Sequence, residues 1–212
     1  LLEYFNFKPK GLFKLNFAPK TPILQYCGAN GPLGLEVGGR NMDGLIFGGH
    51  YMAALRTGRV PEQLQIFNDA ANDSGVGEGV TRVAEIKLSL SKDGQAARDF
   101  VKESSGNRIL NMYRRGYSHE DIQRLGVDLE DVDQLDQAEK AGVSSAEFDD
   151  LVTDDMIDAI FIAGTPGDCL ERMIEVQSTA QSQGFHQLMY SELGPDIDEA
   201  IELLCDEIIP AL

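Results

Sequence analysis

The chain has 212 residues, 42% of them hydrophobic and 25% charged, which is the balance of an ordinary globular protein and excludes collagen-like, mucin-like and disordered classes. No apolar run approaches the roughly 18–20 residues of a membrane-spanning helix. Eighteen Lys and Arg against 35 Asp and Glu give a net charge of −17, which argues against nucleic acid or a membrane surface as the main partner. The charge is uneven: residues 1–60 carry seven basic and three acidic side chains, residues 61–212 eleven and 32. Such acidity reads first as solubility, with adaptation to high salt as the other reading. The three cysteines, Cys27, Cys169 and Cys205, are an odd number without a C-x-x-C pair, so a reduced, cytoplasmic protein is expected. The chain opens at Leu1 without a signal-peptide core or transit pattern, and is expected to be a piece of a longer protein.

In chain order, Phe5 and Phe7, the Lys8-Pro9-Lys10-Gly11 turn and Leu12 to Phe17 predict a β-hairpin within residues 1–20. Ile23 to Cys27, bounded by Pro22 and Gly28, predicts a buried strand, and Leu33 and Val37 follow at helical spacing. Gly44 to Phe47 predicts a second strand ended by Gly48-Gly49. Residues 51–71 read as helical, with a new start at Pro61.

Val83 to Leu90 predicts a third strand, with Glu85, Lys87 and Ser89 on one face and Ile86, Leu88 and Leu90 on the other. Residues 96–152 read as several helices, with Ser118 and Asp121 spaced as a capping box. The stretch 120–158 holds 14 acidic residues against Arg124 and Lys140, so its charges are expected on a solvated face. Ile160 to Ala163 reads as a strand entering a helix capped by Thr165, with Leu170, Met173, Ile174 and Ala180 inward and Gly184 at its end. Gln187 to Tyr190 is the last strand. Gly194-Pro195-Asp196 opens a final helix with Ile197, Ile201, Leu204 and Ile208 on one face.

Strand–helix units, four in all, predict a parallel α/β sheet in one domain. The segments are a 1–20 hairpin, 21–95 with two glycine-rich turns, an acidic helical 96–160 and a closing 161–212.

The first glycine-rich turn is Tyr26-Cys27-Gly28-Ala29-Asn30-Gly31-Pro32-Leu33-Gly34, a strand running into a helix start. Exposed backbone N–H groups there suit an anion, although a tight turn without ligand has the same spacing. Its glycines fall as G-x-x-G-x-x-G, so the dinucleotide fingerprint G-x-G-x-x-G is absent. The second turn is Phe47-Gly48-Gly49-His50. Two adjacent strands ending in such turns could share one phosphate at their carboxyl ends. His50, His119 and His186 lack metal-ligand spacing, and no metal is expected; His50 alone adjoins a glycine-rich turn. Glu85 and Lys87 read as a structural ion pair, or as ligand contacts if their face looks into a barrel. Cys27 reads as a small core residue. Neither a G-x-S-x-G elbow nor a P-loop occurs.

These segments resemble the luciferase-like monooxygenase superfamily: Pro22 to Pro32, then Gly39-Arg40-Asn41-Met42-Asp43-Gly44-Leu45-Ile46, then Ala163-Gly164-Thr165-Pro166-Gly167-Asp168, then Gly194-Pro195-Asp196 through Pro210. Met42 stands where that family usually has Ala. The Gly-Ala-Asn-Gly-Pro wording is most similar to the branch that uses the deazaflavin coenzyme F420, including methylenetetrahydromethanopterin reductase. The resemblance implies a (β/α)8 TIM barrel, here its carboxyl-terminal half, since a whole barrel needs about 250 residues. It implies that Cys27, Gly28, Ala29, Asn30, Gly31, Phe47, Gly48 and Gly49 line the coenzyme's phosphate end, with the catalytic residues upstream. It further implies hydride transfer between reduced F420 and a small substrate such as a methylene-tetrahydropterin, and a homo-oligomer. An FMN-dependent monooxygenase and a non-catalytic barrel subunit are the alternatives. Half a barrel leaves a sheet edge unpaired, so the isolated chain is expected to be poorly stable, aggregated or dimeric.

Overall fold

The computed structural model describes residues 20–75 and 77–212. The hairpin expected within residues 1–20 lies outside the described residues. The elements alternate as expected: β1 (Tyr26–Gly28), α1 (Pro32–Asn41), β2 (Gly44–Phe47), α2 (Tyr51–Arg56), α3 (Val60–Ser74) and β3 (Thr81–Leu90). Five helices follow, α4 (Gly94–Phe100), α5 (Lys102–Arg115), α6 (His119–Arg124), α7 (Leu129–Lys140) and α8 (Asp154–Ile160). The chain closes with β4 (Phe161–Gly164), α9 (Pro166–Ser182), β5 (Gln187–Ser191) and α10 (Ile197–Leu203). No helix among the described residues is long and apolar enough to cross a membrane.

All strand pairings among the described residues are parallel. β1 pairs β2 with Tyr26 opposite Gly44, and β2 pairs β3 with Gly44 opposite Thr81. β3 is ten residues long and serves three neighbours. Residues 81–84 pair β2, residues 83–87 pair β5, and residues 87–90 pair β4. β2 and β5 share partners at Val83 and Ala84, so they lie on opposite edges of β3. β4 and β5 share Lys87, so they also lie on opposite edges. β4 therefore continues the β2 edge toward the carboxyl end, and the staves run β1–β2–β3–β5.

β1 starts three residues later than expected. The backbone of Gln25 instead exchanges hydrogen bonds with Asp43, one to its side chain at 2.8 Å and one from its N–H at 2.8 Å. Ile23 and Leu24, read as buried strand, are exposed because the β2 ladder begins only opposite Tyr26.

Two apolar cores result. The first lies between sheet and helices, where Phe47, Tyr51 and Phe185 meet edge to face with centroids 5.2–5.9 Å apart. The second lies within the helical segment, around Ile109, Val132, Leu135, Phe148, Ile157 and Phe161. α9 buries Cys169, Met173, Val176 and Ala180, whereas Ile174 is exposed. Residue 174 sits about 100° around the helix from Met173, off that stripe. α10 and the turn after it bury Ala200, Leu203, Leu204 and Ile208. Ile197 and Ile201, read as inward, face solvent because the buried arc is centred on Ala200 and Leu203.

The caps form as the sequence indicates. Thr165 with Asp168 and Ser118 with Asp121 make reciprocal capping boxes at α9 and α6. The acidic block is mostly solvated. Asp136 is the exception, buried between Arg114 and Lys140.

Candidate functional site

At the carboxyl ends of β1 and β2 lies a cavity of about 540 Å³. The first turn contributes Asn30, Gly31 and Pro32, and the second contributes Phe47 and His50. The opposite wall is helical: Arg59 and Gln63 come from the start of α3, and Arg108, Asn111, Met112 and Arg115 from α5. Among the described residues three arginines and no carboxylate line this space, in a chain with net charge −17. A second cavity, of about 730 Å³, sits at the other ends of β3 and β5 against Arg82 and His186. Sites in parallel α/β folds form at strand carboxyl ends, which selects the first.

The cavity also gathers unpaired polar atoms. Among the described residues four buried side-chain atoms have no hydrogen-bond partner, and three of them, Asn30 Oδ1, His50 Nδ1 and Gln63 Oε1, belong to its lining. An unmet buried acceptor costs about 1–3 kcal/mol, so such clustering marks a place built for a ligand's donors. Gln63 is held with its Nε2 donating to the Asn30 carbonyl at 2.6 Å, which fixes where Oε1 lies.

The expected site residues divide into three groups. Asn30, Gly31 and Phe47 line the cavity. Gly48 and Gly49 adjoin it and let charged side chains approach the turn. A Cβ on Gly49 would come 2.8 Å from Arg108 Nη1 and 3.1 Å from Lys87 Cε. Cys27, Gly28 and Ala29 are not in the lining: the Cys27 thiol turns to α1, donating to the Gly34 carbonyl at 3.8 Å, Ala29 packs on the first core, and Gly28 ends β1.

Beside the cavity is a buried ionic network. The Lys87 ammonium lies 2.7 Å from Glu85 and 2.8 Å from Glu192, just past β5. Glu85 also accepts from the Gly49 N–H and from the Ser191 hydroxyl, both at 2.8 Å. Burial works to raise the Glu85 pKa, but these donors outweigh it and hold the carboxyl below its usual range. For His50, burial, then the charges of Arg108 and Lys87, depress the imidazole pKa against an opposing pull from Glu85. His50 therefore stands neutral at pH 7, with one nitrogen free to accept. His119 instead stacks on Tyr113, and His186 accepts from the Arg82 backbone.

Sequence reasoning missed Arg59, Gln63, Arg108, Asn111 and Arg115. The available signal was their scarcity: Arg108, Arg114 and Arg115 stand on one helix inside an otherwise acidic region.

The sequence pattern of the luciferase-like monooxygenase family matches residues 3–183. The 5,10-methylenetetrahydromethanopterin reductase of Archaeoglobus fulgidus is 28% identical, aligned over 94% of this chain and 57% of its own length. The solved coenzyme F420-dependent tetrahydromethanopterin reductase of Methanopyrus kandleri superposes with a TM-score of 0.67 at 26% identity, over 89% of this chain and 50% of that one. An F420-dependent secondary alcohol dehydrogenase shares the fold, with a TM-score of 0.57 at 16% identity. The chain spans about half the length of the curated relatives it matches. Its parallel α/β sheet is a partial barrel similar to theirs, and the chain belongs to the luciferase-like monooxygenase family.

Proposed function

We propose that this chain supplies the coenzyme-binding side of an oxidoreductase that passes a hydride between reduced coenzyme F420 and a small substrate such as a methylene-tetrahydropterin. The observation that carries the reading is the meeting of three arginines and three unpartnered polar atoms in one cavity at strand carboxyl ends. A deazaflavin coenzyme offers what this lining lacks: ring N–H and polyol O–H donors for Asn30, Gln63 and His50, and anionic oxygens for Arg59, Arg108 and Arg115. The F420-dependent relatives point the same way.

When bound, the reduced coenzyme supplies the hydride. The residues present here would orient it. Arg59 is prepared for this by the Gly116 carbonyl at 3.0 Å, Asp121 at 2.6 Å and the Tyr117 ring 4.1 Å beneath it. Phe47, Ala54 and Met112 give the cavity an apolar wall that keeps water out. Neutral His50 accepts a hydrogen bond without adding charge. The partner is a small molecule, and the free state of all three cysteines fits a cytoplasmic setting.

Equilibrium titration with F420 and, separately, with FMN tests the proposal. Micromolar binding of F420 is expected. Preference for FMN would transfer the reading to a flavin enzyme, and binding of neither would overturn it.

A further inference from the structure

Arg108 is held by two of its three nitrogens. Nε donates to the Ser104 hydroxyl at 3.2 Å, and Nη2 donates to Glu192 Oε1 at 2.9 Å. Glu192 is itself fixed by Lys87 at 2.8 Å and by Ser104 Oγ at 3.3 Å. Nη1 makes no hydrogen bond among the described residues and stands over Gly49, at the edge of the cavity that Arg108 lines.

The backbone under Glu192 has an unusual conformation. Glu192 and Leu193 have φ of 76° and 42°, the two positive values at non-glycine residues in the described chain. Side chains with a Cβ pay for this region, and such residues concentrate at functional sites. The turn is locked from behind: Leu90 donates its N–H to the Leu193 carbonyl at 2.8 Å, and a Cβ on Gly194 would collide with the Leu90 backbone. The strained turn thus aims Glu192 back across the end of β3 at Lys87 and Arg108.

We propose that Glu192 is a positioning residue that fixes Arg108 so that its Nη1 serves the cavity as a donor to one anionic group, a phosphate or a carboxylate, of the bound ligand. Glu85 and Glu192 balance Lys87 and Arg108, so the network is neutral as a whole. Arg59 is balanced by Asp121 in the same way, and Arg115, which has no ion pair among the described residues, leaves the field at the cavity positive. This inference rests on the proposed coenzyme site and adds to it which side chain reads the anion and what aims it.

The test is calorimetric titration of the wild type, Arg108→Ala, Glu192→Gln and the double variant with three probes: F420, the same deazaflavin without its phosphate-bearing tail, and inorganic phosphate. Arg108→Ala is expected to weaken F420 roughly ten- to a hundredfold, the range of one charge-assisted hydrogen bond. The tail-free compound is expected to change less than twofold. Glu192→Gln, which keeps the shape and one acceptor oxygen but removes the charge, is expected to weaken F420 severalfold. The double variant is expected to be no worse than Arg108→Ala alone, because Glu192 acts through Arg108. Additive losses, or equal loss of the tail-free compound, would show a structural role and overturn the proposal. If the wild type binds no deazaflavin, the functional reading fails separately. Phosphate then decides alone: protection of the wild type against thermal unfolding that is lost in Arg108→Ala supports the proposal, and equal protection of both defeats it.

Discussion

The backbone N–H of Gly49 donates to the Glu85 carboxylate at 2.8 Å, tying the second glycine-rich turn to the ionic network on β3. Glu85 thereby satisfies three donors, the others being Lys87 and Ser191. Glu85→Ala is expected to destabilise by about 1–3 kcal/mol, since it strands a half-buried N–H and leaves Lys87 with one carboxylate. Urea unfolding at pH 7 measures this. Glu85 has a folded-state pKa below its ordinary 4.5, so its contribution is present above that pH and is lost as pH falls through the lower folded value. The stability of the wild type should accordingly converge on that of Glu85→Gln as the pH is lowered below about 4.5; parallel curves would contradict this.

His50 gives a second pH signature of the same sign. Its folded pKa lies below 6.5, so the unfolded chain binds the extra proton first and stability falls as pH drops below 6.5, levelling off under the folded value. The imidazole resonances followed by NMR should titrate below 6.5. In Arg108→Ala the midpoint should rise without reaching 6.5, because burial, the largest cause, remains.

α1 meets α3 across Gly39, where a Cβ would collide with the Phe67 carbonyl and come 2.9 Å from Ala70 Cβ. Gly39→Ala is thus expected to cost about 1–3 kcal/mol, although alanine is intrinsically the better helix former. A thermal melt unchanged or raised would refute it.

Thr165 caps α9 by accepting from the Asp168 N–H at 3.3 Å, while Asp168 accepts from the Thr165 N–H at 3.0 Å. Thr165→Ala should lose about 1 kcal/mol. Thr165→Ser should lose much less, because the hydroxyl is what caps.

Both glycine-rich turns, the capping boxes and the pairing of the first two strands were legible because glycine, proline and short polar residues act locally. Asn30, Gly31 and Phe47 lie in those turns, and the resemblance to the luciferase-like family is what singled them out. Arg59 and Arg108 were not legible: Arg108 lies on the long return of the chain from β3 to β4, and Arg59, at the start of α3, lines a cavity because that return forms the facing wall, which no local pattern records. Glu192 was hidden for another reason. Nothing in a Ser-Glu-Leu-Gly stretch announces two non-glycine residues at positive φ. Ile174, Ile197 and Ile201 show the opposite error, where apolar identity outweighed the phase of the buried stripe.

β4 pairs the same edge of β3 as β2 does, farther along. The whole helical excursion between β3 and β4 leaves from the end of β3 and returns to its edge, with the Ser91 N–H donating to the Gly164 carbonyl at 3.3 Å to close its neck. It carries its own apolar core and lends the cavity Arg108 and Arg115. The molecule is therefore modular in an uncommon way. Half of the pocket wall can be rewritten, lengthened or exchanged within a single closed detour of the chain, while the strands that hold the glycine-rich turns keep their register. A change of ligand in such a fold requires no change of sheet.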